Sequence, residues 1–459
     1  MKKLLRLFLI ILMSVSIIIS FSFIGCKTTT TATTTAETAA TAATAATAAA
    51  AEPIKLVWWS SGFQYENYYN WVKNELIPAF EAINTNVTIE AVNIPHENFA
   101  AKYIAAFSAR KNAPDIFTGV TPYYAGGLQV AEPAKGEVRE YFMENMVPIL
   151  LAGSMYNGEV YSKPQSGNLL MMYVYNRHMY EEAGLDPDVP PKNSDELLEH
   201  WKKLTKPDGS QYGYGIRYAG DSLSIGAKFT PFLDMFGARL YSPDGKVASG
   251  YINSKEAVAA LQFVSDLVYK YKVSSLEVGV PREAFGQGLV ASLFRESFMI
   301  QYMKDSYGWD AGKDFSFAAA PKNEGGLNSI IPTGGEMVYK FAPEAHKKAA
   351  WDFLKFMLEP ENDLKVAETQ GTPPINKSLW ETEKDTLSKR ADYPSLKAVM
   401  EWKLEDVVSY DSPVINELLA AVGDAHQNVL FNKTDPKEEL DKAAVKMDKI
   451  LSNFWATVE

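Results

Sequence analysis

Between residues 54 and 117, five segments alternate between the hydrophobic pattern of a strand and that of a helix. This alternation restricts the possible fold more than any other feature of the sequence. Short runs of β-branched and aromatic residues predict buried strands, and between them apolar residues recur at helical spacing. The strands are predicted over Ile54–Trp59, Val87–Val92 and Ile116–Phe117, and the helices over Tyr68–Ile83 and Phe99–Ala109. Strands joined through helices pair in parallel by right-handed crossovers, so the predicted fold class is α/β.

The same two periods continue along the rest of the chain. Further strands are predicted at Leu169–Tyr175, Gly213–Tyr218, Leu289–Phe294, Phe315–Ala320 and Glu336–Phe341. Helical spacing predicts helices at Ser194–Leu204, Ala257–Tyr271, Ala345–Leu358, Pro394–Trp402, Val414–Leu430 and Pro436–Val458. The chain therefore closes with helices.

The N-terminus has the pattern of a secretory signal peptide. Lys2, Lys3 and Arg6 precede an apolar run, Leu7–Ile24, and the four residues that end in Cys26 resemble a bacterial lipobox. The resemblance implies removal of residues 1–25 and a diacylglyceryl thioether on Cys26. The alternative is an uncleaved N-terminal anchor, because about 18 apolar residues can span a bilayer. Either interpretation places the body outside the cytoplasm, periplasmic or on the cell surface, and tethered to a membrane.

Residues 26–52 predict a flexible tether. Beyond Cys26 they consist of Ala and Thr with only Lys27, Glu37 and Glu52 added. No large apolar side chain is present to offset the entropy of ordering, so the segment holds the body away from the membrane.

Composition excludes several classes of function. The 407 residues that follow the first 52 of 459 suffice for two or three domains, and no later apolar run is long enough for a second membrane span. Net charge is −11, falling to −14 without the signal peptide's three cations, and no basic stripe indicates nucleic-acid binding. With Cys26 the single cysteine and the five histidines far apart, no cofactor, metal or redox site is expected.

Four groups of short motifs, in a fixed order over some 300 residues, resemble family 1 of the extracellular solute-binding proteins, the substrate-capturing lipoproteins of ABC importers for sugars. The motifs are Ile77–Glu81 with Val87–Glu90, Phe99–Lys102 and Ala113–Phe117; Asn157–Pro164 with Met172–Asn176 and Glu182–Leu185; Gly288–Ser292; and Gly334–Glu336 with Ala349–Leu358 and Gly371–Pro374.

The resemblance implies a two-lobed fold of the periplasmic-binding-protein type II class. Each lobe is expected to hold a mainly parallel sheet flanked by helices, with a helical C-terminus. The N-terminal lobe would comprise residues 53–168 plus 335–376, and the C-terminal lobe residues 169–334 plus 377–459. Ligand would lie in the cleft between the lobes, whose closure is a hinge motion.

Most candidate cleft residues follow from where the predicted strands end or from where the chain is expected to cross between lobes, and the resemblance to the family adds an aromatic residue, Trp402, in the C-terminal helical segment. Sugars present apolar C–H faces that stack on aromatic rings and hydroxyls that need paired donors and acceptors. The residues expected to line the cleft are Trp59, Ser60, Gln64, Thr121, Tyr123, Asn168, Arg217, Tyr218, Arg295, Glu296, Gly335, Glu336 and Trp402.

Several of these residues have a structural alternative. Trp59 can be a core residue like Trp58, and Tyr123 a solvated loop aromatic. Arg217 and Arg295 can form ordinary ion pairs, and Trp402 can pack in the core.

The expected function is that of a receptor without catalysis, a monomer that delivers a saccharide or polyol to the permease subunits of an ABC importer. One alternative is an exported glycoside-processing enzyme, which needs two carboxyl groups about 5–10 Å apart. Others are an adhesin or structural lipoprotein, and a binding protein for a non-sugar solute such as a polyol, glycerol phosphate or polyamine.

Overall fold

The computed structural model describes residues 52–94, 99–167, 171–330, 334–400 and 407–458. The predicted signal peptide, Cys26 and all but the last residue of the tether lie outside these ranges. Within them, no helix has the length and apolarity that a bilayer crossing requires.

The strands are short and spread along the whole body. They are β1 (Ile54–Ser60), β2 (Val87–Asn93), β3 (Ile116–Val120), β4 (Ala131–Glu132), β5 (Met155–Tyr156), β6 (Glu159–Val160), β7 (Ser162–Pro164), β8 (Met172–Asn176), β9 (Ser292–Arg295), β10 (Phe315–Ala318), β11 (Asn328–Ile330), β12 (Gly334–Tyr339) and β13 (Val407–Ser409).

The helices account for most of the remaining chain. They are α1 (Glu66–Trp71), α2 (Ile77–Ile83), α3 (Phe99–Ala109), α4 (Gly136–Asn145), α5 (Pro148–Gly153), α6 (Arg177–Glu182), α7 (Ser194–Leu204), α8 (Ser222–Phe236), α9 (Lys255–Tyr269), α10 (Pro281–Gly286), α11 (Met299–Tyr307), α12 (Glu344–Leu358), α13 (Pro360–Gln370), α14 (Leu379–Thr382), α15 (Lys384–Leu387), α16 (Tyr393–Met400), α17 (Ile415–Asn432) and α18 (Pro436–Val458).

The first sheet has the order β2-β1-β3-β12-β4, with β7 also paired to β12. β1 runs parallel to β2 and β3, whereas β12 runs antiparallel to β3, β4 and β7. A strand from late in the sequence is thus inserted between strands from the first third. All strands except β12 run in the same direction, as expected for a mainly parallel sheet, but the three pairings that β12 makes are antiparallel. Trp58 and Trp59 face opposite sides of it and join different apolar clusters, because side chains alternate along a strand.

The second sheet corrects one expectation, because its order β10-β8-β9 is antiparallel throughout rather than mainly parallel. β8 lies between β9 and β10, and both of these strands run opposite to it. One parallel neighbour is present beside β9, where Gly215 N–H donates to the Ser292 carbonyl at 2.8 Å and Tyr212 bridges Val290. This is the segment predicted as a strand at Gly213–Tyr218, and only its start pairs with the sheet.

The C-terminal helices cover one face of the second sheet. α8 and α17 approach so closely that glycine is required at their contact. A Cβ on Gly423 would lie 1.8 Å from the Ser222 carbonyl oxygen, and one on Gly226 would lie 2.0 Å from the Leu419 carbonyl oxygen. Side chains of both helices join the large apolar cluster beside this sheet.

Most predicted helices are confirmed within a few residues, and α18 has the predicted bounds. The pattern over α8 was not predicted. The division of the chain between lobes stays a prediction. That division assigns α16 to the C-terminal lobe, whereas Leu396 of α16 packs with the core of the first sheet.

Candidate ligand-binding site

A cavity of about 760 Å³ lies at one edge of the second sheet. It is bounded by the start of β8, the residues that follow β9 and β10, one face of α8, the strand β11 and helix α16. β7 precedes β8 along the chain and β12 follows β11, and both β7 and β12 belong to the first sheet. The cavity is therefore lined by segments that are neighbours in sequence of first-sheet strands, and its volume suits a small ligand.

An ion pair borders one end of the cavity. Lys228 Nζ lies 2.5 Å from Glu296 Oε1, and both side chains are mostly buried. Burial lowers the pKa of Lys228 to about 8, against the opposing charge of Glu296. Burial also acts to raise the pKa of Glu296, but Lys228 and Arg295 outweigh it and hold that pKa below its usual value. The second oxygen of Glu296, Oε2, is buried and accepts no hydrogen bond from the described residues.

A second carboxylate lies further along α8. Asp234 Oδ2 accepts a hydrogen bond from Ser329 Oγ at 2.7 Å, and burial raises the pKa of Asp234 to about 7. Its other oxygen, Oδ1, is buried without a partner among the described residues. Lys228 and Asp234 are six residues apart, so about 9 Å of helix separates the two ends of the cavity. Small and apolar residues line the cavity between its two ends, among them Met172, Ala227 and Ala318.

Tyr65, which directly precedes α1, lies near this region and was not singled out from the sequence. Burial raises the pKa of Tyr65, Arg282 lowers it and Glu296 raises it, so its hydroxyl lies near both charged groups. Tyr65 remains 43% exposed. Its ring is thus available to a ligand that touches both sheets.

Glu336 and Ser60 lie in a buried polar row that crosses the first sheet. Glu336 accepts hydrogen bonds from Trp58 Nε1 at 2.8 Å, Thr118 Oγ1 at 2.9 Å and Ser60 Oγ at 3.2 Å. Burial raises its pKa to about 7, against these hydrogen bonds and the charge of Lys163. Both Glu336 and Ser60 are 0% exposed. They tie together β1, β3 and β12 in the middle of the sheet and contact no open space, unlike the predicted arrangement.

Trp59 is a core residue rather than a cleft residue. It is 8% exposed, its ring stacks on Tyr103 with 5.8 Å between centroids, and Lys102 Nζ lies 4.5 Å from the ring centroid. Tyr103 also donates its hydroxyl proton to the Trp59 carbonyl. Helix α3 thereby covers the face on which a sugar was expected to stack.

Two more predicted residues of the first sheet serve its packing. The Thr121 hydroxyl is buried and lies 2.7 Å from Ser162 Oγ. Gly335 is buried in β12, where a Cβ would come within 2.6 Å of the same Ser162 Oγ. Its glycine therefore permits the pairing of β12 with β7 rather than the approach of a ligand.

The remaining predicted residues are spread around the molecule. Tyr123 is half-buried, with its pKa raised by burial and by Glu417 of α17. Tyr218 packs on Phe431 in the second core, and Gln64 is exposed on a 3₁₀ turn. Asn168 and Trp402 lie outside the described residues.

Of the predicted set, the structure brings Arg217, Arg295 and Glu296 near one another, and Glu296 lines the cavity. The sequence analysis did not predict α8 and therefore did not identify Lys228 and Asp234, which lie on it. The signal for that helix is present: Asp221 caps it by accepting from Ser224 N–H, and apolar residues follow at helical spacing.

Two sheets, each with its own core, and a ligand-sized cavity at one end of the second sheet define a two-lobed solute-binding fold. The profile of the bacterial extracellular solute-binding proteins matches residues 64–363, and the chain belongs to this family. Its members bind solutes without converting them, so the chain is a binding protein and the alternative of a glycoside-processing enzyme is set aside.

Relatives and solved structures agree with this assignment. A putative binding protein of Brucella abortus (strain 2308) is 25% identical over 381 residues, covering 82% of this chain and 89% of its own. The sn-glycerol-3-phosphate-binding periplasmic protein UgpB of Pectobacterium atrosepticum is 23% identical, covering 83% and 88%. An ABC transporter solute-binding protein from Thermotoga lettingae, bound with α-D-tagatose, has a TM-score of 0.71 at 24% identity, covering 86% and 99%. The last likeness confirms the predicted fold.

Proposed function

We propose that the chain is an extracytoplasmic receptor that captures a saccharide or polyol and delivers it unchanged to the permease of an ABC importer. The observation that carries this proposal is the cavity with unpartnered carboxylate oxygens on Glu296 and Asp234. Buried acceptors without donors are costly, and hydroxyl groups of a ligand would satisfy them. The spacing of about 9 Å along α8 suits a ligand with hydroxyls at both ends.

Capture by closure of two lobes gives the proposal its mechanism. A ligand that touches α8 and β9 on one side and Tyr65 on the other stabilises the closed form, because it makes both sets of contacts only there. Tyr65 lies near Arg282 and Glu296 in this structure, which supports closure across this gap. We also propose that the lobes follow the predicted division of the chain and that the receptor acts as a monomer.

The ligand class draws on the relatives as well as on the cavity. The names of similar proteins include a glycerol-phosphate binder and a tagatose binder, both of which hold small hydroxyl-rich compounds. The described cavity wall offers carboxylates, cations and apolar carbon rather than aromatic faces. This lining favours a small polyol or monosaccharide, held mainly through its hydroxyls.

Thermal unfolding of the purified full chain with a panel of saccharides and polyols tests the proposal. We expect at least one compound to raise the unfolding midpoint, with about 2.7 kcal/mol of stabilisation at a hundredfold excess over Kd. Mass spectrometry should recover that compound unchanged. Ala319→Trp, which fills the cavity from an exposed position in its wall, should abolish the gain.

Ala109→Trp provides the matched control, because Ala109 is exposed at the end of α3, a helix that does not line the cavity. It should keep the full ligand-dependent gain. A gain that survives Ala319→Trp, or a panel without any response, would contradict the proposed site.

We propose further that a lipid on Cys26 tethers the receptor to the membrane. Cys26→Ser is expected to move the protein from the detergent phase to the aqueous phase in Triton X-114 partitioning of expressing cells. The substituted protein should bind ligand as before, since the folded body is unchanged. Retention in the detergent phase together with an intact N-terminus would support the uncleaved anchor instead.

A further inference from the structure

The carboxyl end of β9 carries an unusual concentration of positive charge for a chain with a net charge of −11. Four cations lie near one another there, together with two carboxylates. The cations are Arg217, Lys228, Arg282 and Arg295, and the carboxylates are Glu283 and Glu296.

Both carboxylates already have partners. Arg282 Nη2 lies 2.8 Å from Glu283 Oε1, and its guanidinium lies over the ring of Tyr302 at 4.1 Å. Lys228 pairs with Glu296 at 2.5 Å. With four cations and two carboxylates, the cluster carries an excess of two positive charges, and neither of these two pairs includes Arg217 or Arg295.

Neither of those two guanidiniums forms an ion pair with a carboxylate in the described part of the chain. Nε of Arg217 is buried and donates to no acceptor there. Burial lowers the pKa of Arg295 below the usual range of arginine; Glu296 opposes this, and the neighbouring Arg282 and Arg217 add to it. Two like charges are thus held together in a poorly hydrated place, an arrangement that an anion would stabilise.

The fold directs this cluster towards the cavity. Arg295 is the register partner of Met172 across the antiparallel pair β8–β9, so their side chains lie on the same face of the sheet. Met172 lines the cavity, as do Lys228 and Glu296. The segment before Arg217 runs alongside β9, which brings Arg217 to the same end of the strand.

Arg217 is held in place by its own loop. Its guanidinium lies over Gly220, where a Cβ would come within 2.6 Å of Nη2. Gly220 has a φ of 109°, a conformation that favours glycine. The loop thereby leaves room for the guanidinium, whose planar set of donors matches carboxylate and phosphate oxygens.

We propose that the ligand of this receptor is an acidic polyol or saccharide, bearing a carboxylate or phosphate group that Arg217 and Arg295 bind at the end of β9. This inference rests on the proposed function and narrows its ligand class. Glu296 and Asp234 would accept the hydroxyls of the same molecule, so the acidic group would lie at one end of the cavity and the hydroxyls along α8.

Calorimetry on the full chain with matched neutral and acidic probes tests this inference. Suitable pairs are galactose with galacturonate, glucose with glucose 6-phosphate, and glycerol with glycerol 3-phosphate. We expect the acidic member of at least one pair to bind about tenfold or more tightly than its neutral counterpart, through charge-assisted hydrogen bonds. That affinity should fall as salt rises, because the ions screen the attraction.

Arg217→Gln and Arg295→Gln should each weaken the acidic probe about tenfold or more while changing a neutral probe less than about threefold. Arg139→Gln removes a half-buried arginine on α4 that pairs with Glu159; this helix does not line the cavity, so the variant serves as the control that leaves both affinities unchanged. The unliganded unfolding midpoint of each variant shows whether it folds, and Arg217→Lys keeps the charge if glutamine is not tolerated.

Each result separates the two proposals. Equal or tighter binding of the neutral members would overturn the acidic-ligand inference and leave the receptor function standing. Acidic probes that keep their affinity in both glutamine variants would also overturn it, because binding would then occur elsewhere. Binding by no member of any pair would contradict both proposals, and comparison of the galacturonate and phosphate pairs separates carboxylate from phosphate.

Discussion

Gly423→Ala is expected to lower the free energy of unfolding by about 3 kcal/mol, because the new methyl group meets backbone at the contact of α8 and α17. The nearest atom is the Ser222 carbonyl oxygen, 1.8 Å from the added Cβ; the Ser222 carbonyl carbon follows at 2.6 Å and the Gly226 nitrogen at 3.0 Å. Backbone of a packed helix cannot turn away as a side chain can, so the two helices must separate. Urea unfolding followed by circular dichroism measures the loss.

The sign of this effect makes the experiment decisive. Helix propensity alone predicts that alanine in place of glycine stabilises an exposed helix by about 1 kcal/mol. A loss therefore reports the close contact, and a gain would show that α8 and α17 are further apart than described. Val445→Ala, at a position 68% exposed on α18, controls for substitution on a neighbouring helix and should stay within about 0.5 kcal/mol of the parent.

Glu336→Ala is expected to cost about 3 kcal/mol or more, because it removes the acceptor shared by three buried donors. The Trp58 indole would lose its partner inside the first sheet, and the Thr118 hydroxyl would keep only Ser60 Oγ as acceptor. Lys163 would lose a nearby negative charge. Glu344→Ala, whose side chain is 89% exposed, is the matched control and should change stability by less than about 0.5 kcal/mol.

Glu336→Gln should also change how stability depends on pH. The pKa of Glu336 is raised in the folded protein to about 7 from 4.5. Its protonated form is therefore favoured by folding, so its contribution is complete below pH 4.5 and is lost as pH rises through 7. Relative to the glutamine variant, the parent should lose about 3 kcal/mol between these values. A constant difference from pH 4.5 to 8 would show that the carboxyl is solvated.

The spacing of apolar residues along the sequence was sufficient to predict most of the helices and strands. The alternation at Trp58 and Trp59 correctly places the two rings on opposite sides of β1, and helical spacing locates α9, α12, α17 and α18. The antiparallel second sheet could not be read from period, because a strand buried on both faces looks alike in either pairing. The missed helix α8 shows the same limit, since its signal was present but not used.

The candidate site was harder to predict than the fold. Arg217, Arg295 and Glu296 were identified because strand ends at one sheet edge converge, and they do lie together. Sequence position does not show what covers a residue, which is why Trp59 was expected in the cleft although α3 packs over it. Glu336 likewise stands at a strand start, but its hydrogen-bond partners come from β1 and β3, some 220 to 280 residues earlier.

The place of β12 in the first sheet has a consequence for the order in which the protein is made. β3 ends at Val120, yet the strand that covers its open edge begins at Gly334. A ribosome must therefore add more than two hundred residues before that edge is paired, and until then it offers unpaired N–H and C=O groups to other chains. Such long-range closure is expected to slow folding, because two segments far apart in sequence must meet before the edge is covered.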